Sequence, residues 1–341
     1  MDEPLRIAYL MEDTDLSGGV RVQLAQADAL IGRGHRVTIF TKGMPLTWRT
    51  SEAEWEYVDT FRGESWEGFD FVIGTFWTTV GPAWEGAGER ALHLCQGLEF
   101  TFTAYQEIRP RIEQTYRLPI PKLVVGPHLE APLARFGQET VVIGQVVDEP
   151  FFRPSAGTTE GAVRVLLPGP AQIDVKGIDV GYGAALHARA QGADFDLVRV
   201  SPWAPSREEP RETAAEFHVA LDSRGMVELV GSCEVLLAPS RKEEGFGLPA
   251  AEGMAAGLAC VLTRIPSFLA FDRGRTDYAL WAEEDDAVGL GEQIMRLLGE
   301  PELRRAVASR GREVAAQFRA ELVADRMERW LLERRKALRS R

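Results

Sequence analysis

The chain has 341 residues, 45% hydrophobic and 26% charged, with a formal net charge of -12, a globular composition long enough for two domains of roughly 150 residues each. No apolar run approaches the roughly 20 residues that cross a bilayer, which excludes an integral helical membrane protein. The acidic balance, with no basic stripe in the body of the chain, argues against nonspecific nucleic-acid binding.

Met1-Asp2-Glu3-Pro4 is acidic and runs straight into a strand at Arg6 to Leu10, which reads against a secretion signal and sets a cytoplasmic expectation. The loop Asp13 to Gly19 leads into helical apolar spacing over Val20 to Ile31, and a second strand follows at Val37 to Phe40. Further strands are expected at Phe71 to Gly74, Arg90 to Leu94, Lys122 to Val125 and Val141 to Ile143. Strand and helix in alternation imply a doubly wound parallel sheet. The proline, glycine and threonine rich break from Val146 to Thr159 reads as an interdomain linker, so residues 1–150 form a first domain and 151–318 a second.

The second half repeats the alternation, with strands at Val163 to Leu167, Asp196 to Val200, Val235 to Ala238 and Val261-Leu262. The last segment, 319–341, is a long amphipathic helix with Leu322, Met327, Trp330 and Leu331 at apolar positions. Its basic end, Arg334, Arg335, Lys336, Arg339 and Arg341, reads first as a solvated helix end. Peripheral contact with anionic lipid at the inner membrane face is the second reading. Cys95, Cys233 and Cys260 are widely spaced in or beside apolar stretches, as small buried thiols are, so they suggest neither a disulfide framework nor a metal site.

The most informative stretch is Pro239 to Gly257, PSRKEEGFGLPAAEGMAAG. A buried strand ends at Pro239-Ser240, Pro249 suits the first turn of a helix, and Gly257 stops it. Gly245 and Gly247 let backbone approach a ligand, and the helix start offers amides to an anion such as a diphosphate. Glu244 in the loop and Glu252, expected in the first helical turn, can accept hydrogen bonds from paired sugar hydroxyls. Acid pairs at this spacing recur roughly seven times by chance in so acidic a chain, so the whole string carries the specificity.

With that string the chain resembles the retaining glycosyltransferases of family 4, whose signature places a glutamate before Gly-Phe-Gly-Leu-Pro and another eight positions on, here Glu244 and Glu252. The resemblance implies a GT-B type fold, two Rossmann-like doubly wound domains facing across a cleft, with the terminal helix crossing back to the first domain. It implies that Glu244, with the amides of Phe246 and Gly247 beside Gly245 and Leu248, holds the donor sugar, and that Glu252 holds the donor ribose. The reaction implied is transfer from a nucleoside diphosphate sugar to the hydroxyl of a sugar or glycolipid acceptor, in polysaccharide or glycoconjugate synthesis. No cofactor and no metal are implied. A non-catalytic nucleotide-sugar-binding protein and a sugar-nucleotide epimerase remain as alternatives.

Lys176-Gly177 follows a strand and a turn, where a lysine can neutralise a departing diphosphate. The family's usual arginine shortly before it is replaced by Gly169-Pro170-Ala171-Gln172, leaving Arg241, Lys242 or Arg264 as compensating cations if the fold brings them near. The glycine pair Gly18-Gly19 matches the family's loop facing the diphosphate. The segment His93 to Glu99 resembles that of rhamnosyltransferase-like members, which makes Gln96 and Glu99 candidates for contact with sugar or acceptor. Glu99 is also a candidate base. Tyr105, Arg109 and Tyr116 are candidates for the acceptor side or for a structural role, and His128 reads as a helix-capping or packing residue.

Overall fold

The computed structural model describes residues 3–153 and 161–340. Met1, Asp2, Arg341 and the Pro154 to Thr159 part of the expected linker lie outside them. The chain divides into two compact units, Met1–Val146 with Ala320–Arg341, and Val147–Arg319.

The first unit is built on a seven-stranded parallel sheet. Its strands are β1 (Arg6–Met11), β2 (Arg36–Thr41), β3 (Glu54–Tyr57), β4 (Phe71–Gly74), β5 (Ala91–Cys95), β6 (Lys122–Val124) and β7 (Thr140–Val142), in the order β3-β2-β1-β4-β5-β6-β7. Ile7 stands opposite Val37 on one side and Phe71 on the other. The second unit holds a six-stranded parallel sheet, β8 (Arg164–Pro168), β9 (Asp196–Ser201), β10 (Glu216–Val219), β11 (Val235–Ala238), β12 (Ala259–Thr263) and β13 (Leu280–Ala282), in the order β10-β9-β8-β11-β12-β13. The helices are α1 (Gly18–Ile31), α2 (Trp77–Ala87), α3 (Arg109–Tyr116), α4 (Glu130–Ala134), α5 (Ile178–Ala190), α6 (Ser223–Gly231), α7 (Leu248–Ala256), α8 (Pro266–Leu269), α9 (Ala287–Gly299), α10 (Pro301–Ala315) and α11 (Ala320–Arg339).

Central strands such as β1, β4, β11 and β12 are buried on both faces apart from Arg6 at the start of β1, so beyond Arg6 and the terminal Thr263 of β12 their sequences are apolar runs, as a covered parallel sheet requires. In each sheet the strand order reverses between the first and fourth strands of the unit, β1 with β4 and β8 with β11. Connections from those two strands leave toward opposite faces, which opens a crevice at the carboxyl ends.

Helix α11 packs into the core of the first unit. Val323, Met327 and Leu331, spaced four apart, are each at most 1% exposed, one stripe of an amphipathic helix. Met327 and Leu331 join Tyr9, Leu24 and Ile39 in one cluster, and Arg326 Nε donates to the Ile143 carbonyl at 2.9 Å. Leu322, expected on the apolar face, is instead 45% exposed, because a helix buries one stripe and Leu322 lies beside it. Shortening Leu331 to alanine is expected to cost about 2–5 kcal/mol, read by denaturant unfolding. A cost below about 1 kcal/mol would show that α11 is not part of this core.

Candidate functional site

The loop after β8 ends in a 3-10 turn, Asp174–Lys176, and Gly177 opens α5 with φ +59°. A Cβ on Gly177 would lie 2.0 Å from the Pro239 carbonyl oxygen, so only glycine lets this loop lie against the exit of β11. The two loops are also tied through backbone, Arg241 N–H donating to the Val175 carbonyl at 2.8 Å. Lys176 and Glu244, 68 residues apart, meet as a result. Lys176 Nζ donates to Glu244 Oε2 at 2.7 Å, and the Ser240 hydroxyl donates to the same oxygen at 3.0 Å. The Glu244 side chain is 9% exposed and that of Lys176 23%. The pair lies at the β8/β11 reversal, where the carboxyl ends of a doubly wound sheet open a ligand crevice.

Arg241 stands beside this loop with its donors engaged. Nε bonds Asp285 at 2.8 Å, Nη2 bonds Asp179 at 3.0 Å, and Nη1 reaches both the carbonyl and, at 2.8 Å, the carboxylate of Asp174. Arg264 pairs with Glu283 at 3.5 Å and lies over the Trp281 ring, and Lys242 is exposed. Of the expected compensating cations, Arg241 is therefore near the loop but saturated by three aspartates.

Past Glu244, Gly247 takes φ +86° as the cap of α7, and a Cβ there would fall 2.1 Å from Phe268 Cε1. Phe246 is 5% exposed, its ring packed on Phe271 at 5.0 Å and edge-on to Phe318 at 5.2 Å. Its side chain is therefore core, and only its backbone is left for a ligand. Leu248 is the first residue of α7 and is also buried. The helix begins one residue earlier than expected, which places Glu252 in the second turn, where it is 1% exposed.

In the first unit, Ser17 caps α1, its Oγ accepting from Val20 N–H at 3.2 Å. Gly18 and Gly19 are therefore the first residues of the helix and not part of the preceding loop. A Cβ on Gly19 would lie 3.6 Å from Gln96 Nε2, so the structure brings Gln96, at the end of β5, onto this helix start. Glu99 lies in a 3-10 turn, Glu99–Thr101, and is 6% exposed. The buried Tyr116 hydroxyl donates to its carboxyl group. Burial pushes Glu99 up to about 7, against the lowering effect of that hydrogen bond. On the neighbouring strands, burial lowers Lys122 to about 8, and burial with the Lys122 charge lowers His93 to about 3.

Tyr116 is thus a buried support for Glu99 and not a surface group on the acceptor side. Arg109 is exposed and pairs with Glu113 at 3.0 Å. Tyr105 is half-buried against Phe76 and Phe102. His128 sits in a 3-10 turn, Pro127–Leu129. The Tyr116 to Glu99 bond could not have been read from spacing, because it joins a turn and a helix 17 residues apart. Among the described residues no group of three or more His, Cys, Asp or Glu is placed to hold a metal ion, and no helix is long and apolar enough to cross a membrane.

Residues 163–300 match the family model described as "Glycosyl transferases group 1". The N-acetyl-alpha-D-glucosaminyl L-malate synthase of Bacillus anthracis is 36% identical over 107 residues, which are 30% of this chain and 27% of that relative's length. Among solved structures, sucrose-phosphate synthase from Thermosynechococcus elongatus superposes with TM-score 0.74 at 19% identity, covering 96% of this chain and 98% of its own. Anabaena HepE, solved in complex with UDP-glucose, superposes with TM-score 0.74 at 12% identity, covering 96% and 100%. These superpositions show the fold, two parallel-sheet α/β domains of the GT-B type.

The Glu99 environment makes a pH prediction. Its pKa in the folded chain is raised from the ordinary 4.5 to about 7. The stability contributed by its protonated form is therefore fully present below about 4.5 and lost as pH rises through about 7. The loss is up to about 3 kcal/mol. Denaturant unfolding at pH 5 and pH 8 should show a smaller fall for Glu99→Gln than for the wild type. Parallel pH profiles would count against a carboxylic acid held neutral here.

Proposed function

We propose that this protein is a retaining glycosyltransferase that moves a sugar from a nucleoside diphosphate sugar to an acceptor hydroxyl, in polysaccharide or glycoconjugate synthesis. The observation that carries the reading is the Lys176–Glu244 pair, 2.7 Å apart, at the β8/β11 reversal and ahead of α7, inside the region that matches the group 1 model.

In this reading Lys176 exchanges its Glu244 partner for the donor diphosphate, and the start of α7 adds amide dipoles. A cation that follows the charge as it moves onto the leaving phosphate stabilises the transition state more than the ground state. Glu244, released from Lys176, accepts hydrogen bonds from the sugar hydroxyls, and Glu252 from the ribose. The leaving diphosphate oxygen, on the face the acceptor enters, takes the acceptor proton, and the anomeric configuration is retained. The UDP-glucose bound by HepE supports a nucleotide sugar as the donor class. A protein that binds the donor without turnover is the second reading. It draws on the engagement of Arg241 by three aspartates, which leaves Lys176 as the cation facing the phosphate.

Thermal shift against UDP, GDP, ADP and dTDP and their sugars tests both readings, since a ligand at about 100 times its Kd stabilises by about 2.7 kcal/mol. Selective stabilisation by one diphosphate is expected. Lys176→Met and Glu252→Ala should each weaken that diphosphate about 10- to 100-fold, as loss of a charge-assisted contact does. Glu244→Ala should keep the diphosphate and lose turnover. Binding without transfer or hydrolysis selects the second reading, and unaltered behaviour in all three variants would sink the site assignment.

A further inference from the structure

Arg199, on β9, is fully buried and lies beneath the loop that carries Lys176. Its Nε and Nη2 both donate to Glu209 Oε1, at 3.0 and 2.7 Å. Nη1 donates to the Leu167 carbonyl, and Nη2 also donates to the Gly169 carbonyl at 2.9 Å. Tyr182, on α5, donates its hydroxyl to the same Glu209 oxygen at 3.0 Å. The guanidinium is held between rings, 5.6 Å from the centroid of Tyr182 and 5.2 Å from that of Phe217.

A buried ion pair of this kind is weak evidence for stability, because its desolvation offsets its attraction and a well-packed apolar pair often serves as well. What this pair does hold is the turn at the carboxyl end of β8. Gly169 sits at φ +120°, and a Cβ placed on it would lie 3.4 Å from Cγ of Lys176. The aliphatic stem of Lys176 therefore rests on the backbone that Arg199 grips from below. The same turn is tied again where Gly169 N–H donates to the Val200 carbonyl at 2.8 Å and Gln172 Nε2 to the Ala204 carbonyl at 2.8 Å. Holding a carboxylate and two carbonyls at once takes a planar fork of donors, which lysine lacks.

We propose that Arg199, oriented by Glu209 and Tyr182, is a positioning residue that fixes the Pro168 to Lys176 loop and so aims the Lys176 ammonium at the donor diphosphate. The inference rests on the nucleotide-sugar reading for its ligand, but its mechanics are those of the loop alone.

The test is a double-mutant cycle with Arg199→Lys, which keeps a charge beside Glu209 while losing the carbonyl grip, and Gly169→Ala, which disturbs the Lys176 stem from the other side. Each is expected to weaken the diphosphate bound by the wild type, and to lower kcat/KM for the donor, about 10- to 100-fold, the scale of a misplaced binding group. The KM for the acceptor should stay unchanged. The double variant should lose no more than the worse single, since both act through one link. Unchanged affinity in a folded Arg199→Lys, or additive losses in the double variant, overturns the proposal. If Arg199→Lys does not fold, unchanged donor affinity in Gly169→Ala overturns it. If the wild type binds no nucleoside diphosphate, the functional reading has failed, and hydrogen exchange at the Asp174 to Gly177 amides decides the brace separately. Faster exchange in Arg199→Lys supports it and equal exchange overturns it.

Discussion

The contact on which the second unit's site depends is the seating of Gly177 against the Pro239 carbonyl. Two loops that leave β8 and β11 toward opposite faces would ordinarily diverge. Here a residue without a side chain closes the gap, and the Arg241 to Val175 backbone bond holds it shut. Lys176 and Glu244 come within hydrogen-bond distance because of that closure. So do the Asp174 carboxylate and the Arg241 guanidinium, which brace the same turn from its exposed side.

Charge is arranged around this contact in layers. Arg241 is neutralised outside by Asp174, Asp179 and Asp285, and Arg199 is neutralised inside by Glu209. Both arginines are held by carboxylates, and both grip carbonyls of the loop, Arg199 that of Gly169 and Arg241 that of Asp174. Lys176, with a flexible stem and greater exposure than either arginine, is able to change partners. In the proposed reaction, a flexible charge between two fixed ones suits a diphosphate that must enter and leave.

Much of the fold was legible because central parallel strands are buried on both faces and so must be apolar throughout. Arg6 to Leu10, Phe71 to Gly74, Val235 to Ala238 and Ala259 to Leu262 announced themselves in this way. The strands not foreseen, β3, β10 and β13, are all sheet edges. An edge strand has one neighbour and partial cover, so Glu54-Trp55-Glu56-Tyr57 and Glu216-Phe217-His218-Val219 carry polar residues that hide the pattern. Helix starts shifted for a similar local reason. Ser17 captured the first turn of α1 and so drew Gly18 and Gly19 into the helix. The left-handed Gly247 began α7 one residue before Pro249 and moved Glu252 one position further into the helix.

By itself the sequence determined two alternating parallel-sheet halves and the Glu244 to Leu248 signature, because burial on both faces and turn chemistry are written in residue type over a few neighbouring positions. Lys176 could be named there, but its meeting with Glu244 could not, nor the saturation of Arg241, the burial of Phe246 or the hold of Arg199 on Gly169. Those contacts join positions from 25 residues apart, as in Phe246 on Phe271, to well over 60, as in Lys176 on Glu244, and the tertiary structure alone decided them. Strand order and loop closure set such distances, and neither leaves a periodic trace along the chain.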